Sequence, residues 1–349
     1  MKGISSEIGA GGQPMQRFLR EFILTTFKDK KLGGIGLSNL DDSADFGEYV
    51  ITIDGHTVQP IFFPGGDIGR LAICGTINDL SVMGAEPVAV ASSLIIQTGF
   101  PEENLRTILE SMSKALEEVG ASLLCGDTKV VDDPIDIYVT TAGIGRYNQH
   151  LEKNLGVVRS YREYPYNFIG DNTLLPGEKI IVTGTIGDHG ISLMSLRENL
   201  GFETSLRSDV NPLWPVVKSA LRVGGVTAMK DVTRGGLSMV LNELAAKSGV
   251  NIHIYEEKIP VRREVRAATE MLGLNIYEIA CEGKAVIGVL EPFAKQVVRA
   301  IRGTKYGGEA EIIGEVVETS GEGHVILKTR VGGETLLDPP MGDPVPRVC

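Results

Sequence analysis

Met15, Phe18, Leu19, Phe22 and Ile23 recur at helical spacing behind Pro14, which predicts an amphipathic first helix over 14–30. The run Y-V-I-T-I at 49–53 predicts a strand that leads directly into Asp54-Gly55-His56. Helices follow over 67–83, ending near Gly84, and over 103–119, where Gly120 is placed as a cap. Short strands are expected at 121–125 and 135–142. Over 146–177 neither period holds, and a mixture of Tyr, Asn, charge and Gly predicts a linker with an inserted loop. The second half reads as strand 179–183 and helices near 188–199, 213–222 and 235–248. Strand 251–254, helix 260–272, strand 284–290, helix 291–302 and strands near 310–317 and 324–330 complete it. Strands and helices alternate in both halves, so the expected fold class is α/β (α+β) with two domains. The expected division is an N-terminal domain 1–147, a linker 148–177, a C-terminal α/β domain 178–336 and a tail 337–349.

A chain of 349 residues, 42% hydrophobic and 23% charged, is long enough to bury a large core. No apolar run reaches membrane-spanning length, and M-K-G-I-S-S-E-I-G-A-G-G lacks the apolar centre of a signal peptide, so a cytoplasmic protein is expected. A net charge of −11 argues against nucleic acid as the main partner. The four cysteines, Cys74, Cys125, Cys281 and Cys349, form no C-x-x-C pair, so neither a zinc knuckle nor a disulfide framework is indicated. Cys349 is the last residue, behind Pro339, Pro340, Pro344 and Pro346, which deny the segment a helix or central strand. An extended arm ending in a thiol can enter a pocket and leave it, and Arg347 favours the thiolate. Taken alone, the tail reads more readily as a cysteine that is simply the end of the chain.

Five acidic sites share one character, an aspartate beside glycine or small polar residues at the junction of two elements. They are Asp41-Asp42, Asp54-Gly55, Asn78-Asp79, Gly126-Asp127-Thr128-Lys129, and Asp231 in K-D-V-T-R-G-G-L. Each taken singly reads as a cap or turn. Together, without histidine or cysteine metal signatures, they suggest hard oxygen ligands suited to Mg²⁺ and phosphate. Glycine clusters at Gly9–Gly12, Gly65-Gly66, Gly184–Gly187 and Gly235-Gly236 let backbone N–H groups approach phosphate oxygens. Neither a P-loop nor a dinucleotide fingerprint is present, so the reading is magnesium–nucleotide binding on another scaffold.

The ordered set D-D-S-A, T-I-D-G-H-T-V, F-F-P-G-G-D-I-G-R-L-A, N-D-L-S-V-M-G-A-E-P, G-D-T-K-V-V, T-G-T-I-G-D-H-G and M-K-D-V-T-R-G-G-L resembles one ATP-using superfamily. It comprises aminoimidazole ribonucleotide synthetase, thiamine-monophosphate kinase and selenophosphate synthetase. Within it the chain is similar to the HypE family of hydrogenase maturation proteins, chiefly through F-F-P-G-G-D-I-G-R, G-D-T-K-V-V and the P-R-V-C terminus. The resemblance runs from Gly9 to Cys349. It implies a two-domain fold, a homodimer paired through the N-terminal sheets with ATP in the interfacial cleft, and a mobile tail. It implies that a carbamoyltransferase, HypF, loads a carbamoyl group on Cys349, that ATP-dependent dehydration turns this into a thiocyanate, and that HypC and HypD receive the cyanide for a [NiFe]-hydrogenase iron. By family position Asp42, Asp79, Asp127 and Asp231 would hold Mg²⁺ and phosphate, with Asp54, Asn78, Gly11 and Gly12 also at the nucleotide. Glu282 in C-E-G-K and Lys129 would act with Cys349 in catalysis, while His56 and His189 orient loops. The chain departs from the family pattern at Ile8, where His is frequent, and at Cys281, where Asn is frequent. Alternatives on the same scaffold are a selenophosphate synthetase, against which the thiol-free loop I-G-A-G-G-Q argues, and a small-molecule kinase, which has no use for a terminal cysteine. A non-catalytic scaffold that docks a partner through its tail is the remaining alternative.

Overall fold

Strand residues Ile137–Arg146 alternate buried with partly exposed along nearly their whole length, as a strand with one face on a core must. They lie at the centre of the first sheet of the computed structural model, which describes residues 4, 6–9, 12–28, 30–197, 205–342, 345 and 348–349. This sheet comprises β1 (Ala44–Phe46), β2 (Tyr49–His56), β3 (Glu86–Gln97), β4 (Ser122–Val131) and β5 (Ile137–Arg146). Its order is β1-β2-β5-β3-β4, with only β3 and β4 parallel. Helix α1 (Ile68–Val82) lies across one face, capped by the Asp67 carboxylate, which accepts from Gly69 N at 2.8 Å and Arg70 N at 3.0 Å. It is apolar around most of its circumference because it is buried between the first sheet and the second domain. The sheet leaves Ile53 72% and Leu124 70% exposed, and β4 is an unpaired edge.

The second sheet holds β6 (Lys179–Val182), β7 (Val226–Asp231), β8 (Val250–Tyr255), β9 (Ala285–Val289), β10 (Glu311–Thr319), β11 (Val325–Lys328) and β12 (Glu334–Leu336). Its order is β12-β11-β8-β10-β6-β9-β7, and only β8 and β11 are parallel. Strands β7 and β9 are buried at every position, which explains the unbroken apolar composition of β9. The helices of the second half are α3 (Gln149–Tyr161), α4 (Asp188–Arg197), α5 (Trp214–Val223), α6 (Gly236–Ser248), α7 (Arg263–Leu272) and α8 (Glu291–Arg302).

Three expectations need correction. The stretch 146–177 is not irregular throughout: α3 occupies 149–161, capped by Asn148 and packed on α5 through Leu151, Leu155 and Val158. The first helix is interrupted by a π-helical turn over Leu19–Ile23, and nothing from Leu19 to Thr26 is buried. The 121–125 strand continues to Val131, so G-D-T-K lies inside β4 and not in a loop. No helix among the described residues is long and apolar enough to cross a membrane.

Candidate active site

Strand β7 delivers Lys230 and Asp231 to its end, where T-R-G-G turns the chain into α6. Gly235 and Gly236 make this turn at φ +81° and +62°, and a Cβ on Gly236 would lie 2.6 Å from the Tyr277 carbonyl oxygen. Buried Lys230 bonds Asp42 Oδ1 and lies 3.4 Å from Glu243 Oε2 and 3.6 Å from Asp171 Oδ2. Burial alone would lower its pKa, but these carboxylates hold the ammonium well above its ordinary value. Asp79, in the last turn of α1, accepts from Thr52 Oγ1 at 2.7 Å. Burial, then the charges of Asp231, Asp42 and Asp54, pushes Asp79 far above an ordinary carboxylate, and burial with Asp42 and Asp54 does the same to Asp231 against the pull of Lys230. Burial and the charges of Asp171 and Asp42 likewise raise Asp41 to about 7.

This excess of negative charge borders a cavity of about 410 Å³, lined among others by Asp41, Asp42, Lys230, Asp231, Arg234 and Glu243. Asp42 Oδ2 and Asp231 Oδ2 are buried there without a hydrogen bond. Among the described residues no three side chains form a ready metal cage. Two orphaned carboxylate oxygens nevertheless fit an ion that takes one or two carboxylates and completes its shell with water and phosphate. Beside them, Asp54 pairs with His56 at 3.1 Å. Burial opposes ionisation of Asp54, yet the charge and hydrogen bonding of His56 leave it below its ordinary value. The pair is pressed against α1 at Gly75, where a Cβ would lie 2.8 Å from His56 Nε2.

Cys349 meets this region from the other side. Its main-chain oxygen accepts from Thr57 N at 3.1 Å and lies 3.2 Å from Thr57 Oγ1, and Val348 is completely buried. The expected tail is thus docked in this conformation. Burial pushes the Cys349 thiol up to about 12, against the opposing charge and hydrogen bond of Arg234, with Glu282 and Asp54 adding to the rise. Arg234 also donates to the Gly9 carbonyl at 2.9 Å, so it ties the glycine-rich N-terminal segment to the thiol. Glu282 is buried and driven well above its ordinary value by burial and by Asp231, Asp54 and Asp209. Its Oε1 has no hydrogen-bond partner.

Asp42, Asp54, Asp79, Asp231, Glu282 and Cys349 are therefore brought into one electrostatic neighbourhood. Asp127 and Lys129 are not: they pair with each other at 2.6 Å on exposed β4. Asn78 is not free for a nucleotide either. Its Nδ2 donates to the carbonyls of Glu282 (3.1 Å) and Asn211 (3.2 Å), and its Oδ1 accepts from Leu213 N (2.7 Å), so it fixes the backbone beneath Glu282. Gly11 lies outside the described residues, as does Arg347, and Gly12 opens the first helical turn. Cys281 is buried, accepts from Gly187 N at 3.2 Å, and is held far above an ordinary thiol by burial, so it is a packed side chain and not a second nucleophile. Sequence reasoning missed Lys230, Arg234 and Thr57. The first two lie inside K-D-V-T-R-G-G-L and the third inside T-I-D-G-H-T-V, and a lysine next to a strand-end aspartate was the available signal.

Residues 40–147 match the AIR synthase related protein N-terminal domain, and residues 176–326 match the corresponding C-terminal domain. The chain is 38% identical to the carbamoyl dehydratase HypE of Azotobacter vinelandii over 98% of its own length and 96% of the relative's. A solved HypE-HypF complex contains a chain matched with a TM-score of 0.81 at 38% identity, covering 92% of this chain and 99% of that one. A hydrogenase maturation protein HypE crystallised in complex with ATP matches with a TM-score of 0.78 at 33% identity, covering 99% and 100%.

Proposed function

The chain belongs to the AIR synthase related family, in its HypE hydrogenase-maturation branch, and from that premise we propose that it dehydrates a carbamoyl group carried on its own Cys349. The observation that carries this reading is the docked thiol, which shares one site with Arg234, Glu282 and Asp54 at the edge of the acidic cluster. An amide oxygen is a poor leaving group. In the proposed reaction it takes the γ-phosphoryl group of ATP, giving ADP and a phosphate ester, and phosphate then departs with that oxygen as the nitrogen protons are lost. The products are an S-cyano cysteine, ADP and phosphate. Mg²⁺ would neutralise phosphate charge as the phosphoryl group transfers.

The chain's own groups have distinct tasks. Asp42 and Asp231, with their unpartnered oxygens, would hold the metal, and Asp79 would assist. Lys230 keeps Asp42 oriented. Glu282 would take a nitrogen proton, because a carboxylate raised by burial is a stronger base once ionised. Arg234 would stabilise negative charge developing next to the thiol. Asp127 and Lys129 lie on the edge strand of a sheet with exposed Ile53 and Leu124, so pairing of two copies through that sheet would place them in an interface. We assign them to the nucleotide site of such a homodimer. The solved HypE-HypF complex and its similarity to this chain support HypF as the carbamoyl donor, with HypC and HypD as cyanide acceptors by family.

Intact-mass measurement tests the reading. Incubation with the carbamoyltransferase and carbamoyl phosphate is expected to add one carbamoyl group, and Mg²⁺-ATP is then expected to remove the mass of one water. Omitting Mg²⁺ blocks the second shift. Survival of either shift in Cys349→Ala would overturn Cys349 as the carrier.

A further inference from the structure

His189 is the second residue of α4 and is completely buried, yet it touches neither the acidic cluster nor the thiol. Its Nε2 lies 2.8 Å from the Val348 carbonyl oxygen, and its Nδ1 lies 2.7 Å from Ser208 Oγ. A carbonyl only accepts, so Nε2 carries the hydrogen and donates. Ser208 Oγ already accepts from Val210 N at 3.1 Å, which leaves its hydroxyl hydrogen for Nδ1. The imidazole is thereby fixed as one neutral tautomer. Burial, which lowers its pKa, keeps it neutral. Ser208 is in turn held by its N–H to the Pro64 carbonyl at 2.7 Å, and Gly65, at φ +105°, permits that approach because a Cβ would lie 2.8 Å from Ser208 O. The edge-to-face contact of Phe63 with the imidazole, 5.4 Å between centroids, completes the seat.

We propose that His189 is a positioning residue which, braced by Ser208, latches the Val348 carbonyl and so sets the register at which the Cys349 thiol meets Arg234 and Glu282. Two successive main-chain oxygens are held from opposite sides, Val348 by the second domain through His189 and Cys349 by the first domain through Thr57. With both carbonyls pinned, rotation about the Cys349 side-chain bond is the main freedom left to the sulfur. The F-F-P-G-G-D motif then has a role other than phosphate binding: it builds the wall against which Ser208 and His189 are packed. The inference rests on Cys349 being the carrier, but its test does not need turnover.

The test is peptide-resolved alkylation of Cys349 by iodoacetamide in the full chain, with melting temperature recorded for each variant. His189→Leu keeps an apolar fill but cannot donate, and it is expected to raise Cys349 alkylation at least about tenfold, the loss of one buried hydrogen bond. His189→Gln retains an N–H donor and is expected to remain within about threefold of wild type. Ser208→Ala, which frees the tautomer without removing the ring, gives an intermediate increase and decides the matter if the leucine variant does not fold. In the carbamoylated protein the order is reversed for the rate of water loss, slowest in His189→Leu, while the thermal shift produced by Mg²⁺-ATP is unchanged. Slow alkylation in folded His189→Leu, or in Ser208→Ala when only that variant folds, overturns the latch. Fast alkylation in the glutamine variant overturns it equally. Absence of any ATP-dependent water loss in wild type would instead sink the dehydratase reading and leave the alkylation order to judge the latch by itself.

Discussion

Docking raises the Cys349 thiol to about 12, well above the roughly 8.5 of a free cysteine, and this has a measurable signature. The docked state binds the thiol proton more tightly than the released state. Docking is therefore fully favoured below about 8.5 and weakens as pH rises from there towards 12, by about 1.4 kcal/mol, or tenfold, per unit. The docked thiol scarcely ionises in this pH range, so alkylation runs through the released thiolate and the logarithm of the Cys349 rate is expected to climb with unit slope through pH 8.5 and on to at least 9.5. A slope held that far corresponds to docking favoured at least about tenfold. The perturbed control is Val348→Asp, which puts a charge where a valine is completely buried and so releases the segment. Its profile should level near 8.5. The assay is a pH series from 7 to 10.5, with the modified peptide quantified by mass spectrometry and the fold followed by circular dichroism. A native profile that levels near 8.5, matching the aspartate variant, would refute a docked thiol in solution.

Glu282→Gln keeps the volume of the side chain and removes the base, so ATP-dependent water loss should fall about 10²- to 10⁴-fold with carbamoyl loading intact, read by intact mass. Ile53→Lys places a charge at an exposed apolar position on the first sheet, and light scattering should show the proposed dimer dissociating while the melting temperature of the chain changes little. Asn78→Ala removes three hydrogen bonds to main-chain groups of the second domain, costing about 3 kcal/mol. A loss of that size lowers the melting temperature by about 6–12 °C. Unaltered melting would refute its role as a clamp between domains.

Much of this was legible in the sequence, for identifiable reasons. Strong 3.6-residue periods over 102–117 and 291–302 and apolar runs such as Ala285–Val289 produce the helices and strands expected of them. Helix α3 was missed because its apolar positions, Leu151, Leu155 and Val158, are diluted by Lys, Asn, Gly and Arg, and its burial comes from α5, more than 50 residues later. The aspartates of the site were visible as residues, but their division into clustered and isolated was not. Asp231 and Asp127 sit in similar glycine-rich contexts, yet one ends a strand buried on both faces and the other rides an unpaired edge. Sheet order decides that, and sheet order is a non-local property. The tail shows the same limit: its prolines do exclude helix, but a chain without regular structure can still be held by Val348 and two fixed carbonyls.

The energetics of that docked tail bear on how one cysteine would be loaded outside the site, as proposed, and then return to it. Burial of Val345 and Val348 contributes roughly 1.5–3 kcal/mol each, and the hydrogen bonds from Thr57 and His189 about 1 kcal/mol apiece. Against this stands an ordering cost of about 1–2 kcal/mol for each backbone residue fixed, which leaves docking favoured by a small margin. A segment held by a margin of about tenfold can be shifted by a modest change at its tip. In the docked state the high pKa makes the thiol a poor nucleophile, so carbamoyl loading belongs to the released state, where the thiolate forms at ordinary pH. Once sulfur carries a carbamoyl group there is no thiol proton left to lose, and docking no longer depends on pH through this atom. Loading thus removes the alkaline weakening of the docked state, and the amide is left beside Arg234 and Glu282 where its dehydration is proposed.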